Sequence, residues 1–508
     1  MAGRPVQWRR SKLAIDLPAA FGLCGLLLRY LSLSSLFPAA IALGYGEPFW
    51  PFLAAGAIAA GVGLALERLG GDLGLVGSRE GYLVVALTWL LAAAYGALPF
   101  LLSGDPQLDR PVDAFFEAMS GFTTTGASVV VNVDTVDQSL LMWRQFTQWL
   151  GGMGIIVLAL AILPRLRVGG RQLLESELPG PEVDQLADRI RSTARRLWLL
   201  YVALTAVMAG ILTLLGLAGA DDRLGPFEAV SIALATLPAG GFMPDNRSLA
   251  DFAAITQWVV VLFMVLAGVN FALTYLAFVR RRPRRAFADE ELRLYAVLLT
   301  IASIVLVAEL WTERLASGEA AVRHGVFQAV SIMTTTGFSS VDYASWTPLA
   351  VMTLLALMFV GGSAGSTSGS IKVVRHLLLG KALRRELRQT LHPEQVIPIR
   401  LNGTPVDERT LRAVTSFILL YLGIFIVGAA VIAIDTAAQG PSLSIVDVIA
   451  SSASMISNVG PGLGLAGPTG SFEGFSDIST IVMAVLMWLG RLEVIPVIVL
   501  LTRSYWRV

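Results

Sequence analysis

Apolar runs of membrane-crossing length recur along almost the whole chain, at 83–100, 197–217, 258–278, 414–434 and 481–501. A helix of about 20 residues crosses a hydrocarbon core ~30 Å thick. Backbone groups inside that core find no water, so a spanning segment is a helix or part of a closed barrel. Runs this long, without the alternation a barrel strand needs, are helices. The chain therefore reads as an all-α polytopic membrane protein. Its 508 residues are 55% hydrophobic and 15% charged, where soluble domains carry about a quarter charged residues.

Lysine and arginine crowd four segments, "RRSK" at 9–12, 164–196, "RRRPRRAF" at 280–287 and 375–389. The alternate loops are poor in them, among them "GDPQLDRPVD" at 104–113, "VDTVD" at 133–137 and "GADDR" at 219–223. The bias toward cytoplasmic basic loops puts the first set, and both termini, inside the cell. The start has a basic flank and an apolar run but no small-x-small cleavage site, so a retained first helix is expected. The net charge of +1 gives no overall basic field for nucleic acid. One cysteine, Cys24, rules out a disulfide within the chain, and three histidines lack zinc-site spacing.

A unit recurs four times: a long apolar helix, a short outer stretch, a half-length apolar helix, a glycine turn, and a second long helix. The half-length segments start near Phe115, Phe227, Phe327 and Val446, and three share an opening: "FEAMS" (116–120), "FEAVS" (227–231) and "FQAVS" (327–331). Two helices, near 21–41 and 52–66, precede the first unit. The expected organisation is 1–75 for the two extra helices, then pore repeats at 76–170, 190–282, 290–390 and 405–508. Non-helical backbone at membrane depth is tolerated only against protein or a water-filled cavity. Four half-helices therefore suggest a fourfold pseudosymmetric pore. Each would aim its negative carbonyl end at the axis, where a cation is favoured. Glycine lets the following backbone present successive carbonyls, which replace a cation's hydration shell.

The motifs "SGFTTTGA" (120–127), "QWLGGMGIIVLALAILP" (148–164), "AGGF" (239–242), "TTTGFS" (334–339), "GGSAGSTSGSIKV" (361–373), "NVGPGLG" (458–464) and "GRLEV" (490–494) are spread between residues 120 and 494. With them the sequence resembles the Trk/Ktr/HKT superfamily of potassium transporters, and most closely its bacterial TrkH/TrkG branch. The second filter segment, "AGGF", departs from the family pattern, with Pro238 before it and Met243–Pro244 after it. The resemblance implies a selectivity filter built from Thr124, Thr125 and Gly126; Ala239, Gly240 and Gly241; Thr335, Thr336 and Gly337; and Asn458, Val459 and Gly460, flanked by Ala127, Phe338 and Pro461. In the superfamily a serine at the first filter position accompanies sodium selectivity; Gly126 matches the potassium-permeable pattern.

Gly361, Gly362, Gly365, Ser366 and Gly369 lie in a run that interrupts the second long helix of the third unit. A helix of that composition is costly, since each glycine loses about 1 kcal/mol against alanine. Close helix packing is one reading and an intramembrane gate loop, as in the family, the other. Lys372 follows the run, either snorkelling to the surface or serving the gate. Arg491 lies within the last long helix. Intramembrane arginine seldom faces lipid, and the matching arginine of the family lines the conduction path; pairing with Glu493, two residues on, is the weaker alternative. Glu117 and Glu228 are expected in first turns, where negative charge suits the helix dipole. "GLGLAG" (462–467) matches a dinucleotide fingerprint but lacks its βαβ setting, and "GSTSGSIK" (365–372) lacks the GK[ST] ending.

The expected function is potassium uptake across the inner membrane through a gated pore, with potassium as the transported ion, no organic cofactor and no enzymatic activity. A proton- or sodium-coupled secondary transporter is the alternative; it needs repeats of opposite topology. The resemblance further implies a homodimer in lipid and a cytoplasmic NAD-binding regulatory subunit of the TrkA type.

Overall fold

The computed structural model describes residues 15–70, 77–162, 182–439 and 443–507. The basic segments at 9–12 and 164–181 lie outside the described residues. Among those described, six helices are long and apolar enough to cross a membrane: Leu17–Tyr45, Trp50–Gly70, Arg79–Ser103, Arg195–Leu217, Glu290–Thr312 and Glu408–Ala438. The fold is helical throughout, apart from a hairpin pairing Arg400–Leu401 with Thr404–Pro405.

The four half-helices are present at Pro111–Phe122, Pro226–Thr236, Gly318–Met333 and Ile445–Ser457. The first and third begin earlier than the apolar pattern suggested, because their opening turns are polar. Local chemistry starts them: Pro111 and Pro226 occupy first-turn positions that need no amide donor, and Ser444 with Asp447 forms a capping box. Between half-helices run the long outer helices Ser78–Ser103, Glu182–Leu217, Glu290–Thr312 and Glu408–Gln439.

The inner helices, which follow the half-helices, depart most from expectation. The run at 258–278 is not one span: Ala254–Gly268 and Phe271–Phe278 meet at a bend of 111°. In the third unit Pro348–Met358 and Val373–Leu391 are separated by the glycine-serine run. In the fourth, Asp477–Arg491 stops and Ile495–Leu500 resumes after Glu493 and Val494, both at positive φ. Among the described residues the break in the third unit is thus one of three, and not unique as the small-residue run alone implied. Val269–Asn270 and Leu492–Val494 carry no glycine cluster, so composition did not reveal them.

The units are stitched together by the loops that follow the half-helices. The Asn246 side chain accepts from the Val133 amide at 2.7 Å, the Leu249 amide donates to the Ser339 carbonyl at 2.9 Å, and the Phe472 amide donates to the Ser128 carbonyl at 2.9 Å. The two leading helices pack through small residues. A Cβ on Gly63 would lie 2.8 Å from the Gly25 carbonyl oxygen, and one on Gly25 would lie 2.8 Å from the Glu67 amide nitrogen. Small residues let helices approach where no hydrophobic effect drives them together.

This contact predicts a selective stability effect. Gly63→Leu should lower the unfolding temperature of the purified protein in detergent, at an overpacking cost of about 1–3 kcal/mol. Gly61→Leu, on the open side of the same helix with nothing within 4 Å, should leave it unchanged or raised. Equal effects of the two would rule out the close approach.

Candidate ion pathway

Each half-helix ends in the same way. The amides of Thr124, Ala239, Thr335 and Asn458 donate three residues back, to Gly121, Thr236, Ile332 and Met455. The next amides, of Thr125, Gly240, Thr336 and Val459, donate five residues back, to Ser120, Ala235, Ser331 and Ser454, at 2.8–3.0 Å. This is the Schellman pattern of helix termination. It requires a left-handed residue, and Thr124, Ala239, Thr335 and Asn458 have φ of 53, 58, 59 and 55°. For threonine, a β-branched residue, that conformation is strained. Two residues on, Gly126, Gly241, Gly337 and Gly460 have φ of 84, 86, 83 and 102°.

The four glycines close a ring. A Cβ on Gly126 would collide with the carbonyl oxygen of Gly240, one on Gly241 with that of Thr336, one on Gly337 with that of Val459, and one on Gly460 with that of Thr125. The carbonyl before each glycine thus abuts the glycine of the preceding unit, and the fourth unit returns to the first. Eight of the twelve predicted residues make this ring, and the other four, Thr124, Ala239, Thr335 and Asn458, are the left-handed residues directly before it. Pro238 does not disturb it, since Ala239 and Gly241 match their counterparts. A cavity of about 100 Å³ lies against the ring, lined by Gly126, Gly241, Gly337 and Pro461 among others.

The register keeps the offset of the second unit that the sequence spacing gives. Counted back from the ring glycine, "FEAVS" in the second unit lies one helical turn further away than "FEAMS" and "FQAVS". Glu228 caps its helix by accepting from the Gly225 amide at 3.0 Å. Glu117 is not in a first turn: it is buried mid-helix and paired with Arg144.

Neighbouring side chains hold the ring. Thr123 and Thr125 hydroxyls bond at 2.7 Å, and Thr334 and Thr336 at 2.8 Å. The second unit lacks such threonines. There Gln148 donates to the Gly240 carbonyl at 2.6 Å and accepts from the Phe242 amide at 3.1 Å. In the fourth unit Asn458 donates to Thr125 Oγ1 at 3.0 Å and to the Met487 carbonyl at 2.9 Å.

On the helix side of the ring, the run from Gly361 to Ser370 is a loop, mostly buried. Its backbone is not left free. The Ser363 amide donates to the Gly268 carbonyl at 2.9 Å, and Thr367 Oγ1 to the Leu237 carbonyl at 2.9 Å. Gly365 accepts from the Phe271 amide at 3.1 Å. The loop thus fits into the break of the second inner helix and satisfies groups freed there. The Gly369 amide donates to Thr335 Oγ1 at 2.7 Å, which ties the loop to the ring itself. Gly361 and Gly365 have positive φ, and Gly362 has no room for a side chain against Ser368. Ser366 bonds back to the Ser363 carbonyl at 2.6 Å, and Lys372 donates to the Ser368 carbonyl.

Arg491 reaches the same loop. Its guanidinium donates to the Thr367 carbonyl at 2.9 Å and to the Gly151 carbonyl, in the first unit, at 3.2 Å. Glu493 pairs instead with Arg375. Loop and arginine together therefore touch all four units. Sequence reading passed over Arg144, Gln148 and Glu291. Glu291 accepts from the amides of Ala364, within the loop, and Val374, in the helix after it, at 2.6 and 3.1 Å. Arg144 and Gln148 in "MWRQFTQWL" were legible as polar groups in an apolar helix; Glu291, at a helix start, gave no such signal.

The chain was compared with known proteins. The family model described as cation transport protein, TrkH, matches residues 58–507. The Trk system potassium uptake protein TrkH of Escherichia coli (strain K12) is 37% identical over 439 residues, covering 86% of this chain and 88% of the relative. The Trk system potassium uptake protein TrkG of the same strain is 32% identical over 492 residues, covering 96% and 98%. The crystal structure of the potassium transporter TrkH from Vibrio parahaemolyticus superposes with a TM-score of 0.83 at 33% identity, covering 96% of this chain and 99% of that one. The chain belongs to the TrkH family of cation transport proteins.

Proposed function

We propose that this protein takes up potassium across the inner membrane, with the four-glycine ring as its selectivity filter. One observation carries the reading above others: a closed ring of glycine–carbonyl contacts at the meeting point of four half-helix ends. Carbonyl rings of this kind substitute for a cation's water shell. The relatives named for potassium uptake support the choice of ion. Each ring glycine meets the carbonyl before the glycine of the next unit, in one cyclic sense around all four, as repeats that run in parallel require. An inverted-repeat transporter would oppose them.

The 361–370 loop is the gate of this proposal and Arg491 its fixed electrostatic barrier. Both lie on the same side of the ring and are bonded to each other. A homodimer in lipid, and a cytoplasmic NAD-binding subunit of the TrkA type acting on the loop, complete the reading. The basic side, with 280–287, 375–389 and both termini, faces the cytoplasm. Labelling of engineered cysteines in intact cells checks this: Asp137→Cys and Asp222→Cys should react with an impermeant reagent, and Arg281→Cys should not. External labelling at 281 would reverse the topology.

Purified protein in liposomes should carry potassium and rubidium in preference to sodium. Shortening 363–369 should raise that flux and reduce its dependence on the cytoplasmic subunit, and Arg491→Ala should raise it by removing charge from the path. A correctly folded, shortened variant that conducts no more than the parent would make the loop packing and not a gate.

A further inference from the structure

Glu117 and Arg144 form an ion pair buried in the membrane-embedded part of the first unit. Arg144 Nε lies 2.7 Å from Glu117 Oε1, and the two side chains are 2% and 0% exposed. At the positions nine residues before the ring glycines stand Glu117, Ile232, Gln328 and Ser451, so only the first unit places a carboxylate there. Removing one partner of a buried pair strands a charge, and a well-packed apolar pair is often as stable. Stability alone is therefore a poor reason for this pair.

Its contacts suggest another reason. Glu117 accepts from the Ser128 hydroxyl and the Val129 amide, both at 3.0 Å. Arg144 donates to Ser128 Oγ at 3.0 Å and approaches the Met243 carbonyl at 3.5 Å. Its guanidinium lies over the Phe242 ring, 4.3 Å from the centroid. Ser128 is two residues beyond Gly126, and Phe242 and Met243 directly follow Gly241. The pair thus holds the chain of two adjacent units where each leaves the ring. Arg144 also lines the cavity against the ring, together with Gly126, Ser128 and Gly241.

We infer that the Arg144–Glu117 pair is a positioning element for ion selection: it sets the spacing of the first and second units at the ring's outer rim. The inference rests on the filter reading proposed above. Guanidinium geometry matters here, because one planar fork serves a carboxylate, a hydroxyl and a carbonyl at once. Lysine offers a point charge in its place.

The test compares potassium, rubidium and sodium flux in liposomes for the parent, Arg144→Gln, Arg144→Lys and Ser128→Ala. Ser128→Ala removes the hydroxyl shared by both partners without stranding a charge, and so serves if the charge variants do not fold. Arg144→Gln should lower the potassium-to-sodium ratio several-fold, with sodium flux rising. Arg144→Lys should recover part of that loss, and Ser128→Ala should lower the ratio less than Arg144→Gln. A merely structural role would reduce all three fluxes in proportion and leave the ratio at the parent value. That outcome, in Arg144→Gln if it folds or otherwise in Ser128→Ala, overturns the inference. A parent that does not discriminate potassium from sodium would instead overturn the filter reading beneath it.

Discussion

A backbone amide or carbonyl at membrane depth must find a partner within the protein, and much of this structure follows from that demand. Among the described residues, four half-helices stop within the protein interior and three inner helices break. Each interruption frees groups that water would satisfy at a surface. The half-helices use the paired amide bonds of their C-termini, made twice in each unit. The breaks use one another. The Ser363 amide takes up the Gly268 carbonyl, the Phe271 amide takes up the Gly365 carbonyl, and Arg491 takes up the Thr367 carbonyl. The loop of the third unit is thus held by the broken helices of the second and fourth.

The same geometry has an electrostatic consequence. Four helix C-termini converge on the ring, and their partial negative charge favours a cation. Arg491 lies beside the loop, where two carbonyls accept its donors. Glu493 is turned away to Arg375 by two successive residues at positive φ. For Val494, a β-branched residue, that conformation persists only where the surroundings over-determine it. The strained turn keeps the arginine and the nearby glutamate on different partners.

The fourfold repeat, the half-helices and the glycines at their ends were legible in the sequence, because glycine at a helix end and apolar length are local signals. The offset of the second unit was legible too, since thirteen residues separate its Phe227 from Gly240 where ten separate Phe116 from Gly126 and Phe327 from Gly337. The bend at Val269–Asn270 was hidden, since its apolar flanks read as one span and the loop that stabilises it comes from another unit. Glu117 looked like a dipole partner because the helix start was placed too late, and its true partner Arg144 lies on a different helix. Contacts between units have no local sequence signature, and most of the support around the ring is of that kind.

The central claim is that the glycine–carbonyl ring selects the ion. Gly126→Ser tests it most directly, because a side chain there meets both a left-handed backbone and the Gly240 carbonyl. Potassium and sodium permeability would be measured in liposomes on a variant shown to be folded. A potassium-to-sodium ratio well below that of the parent is the predicted result. A ratio equal to that of the parent would contradict the account and take Gly126 out of the ion path.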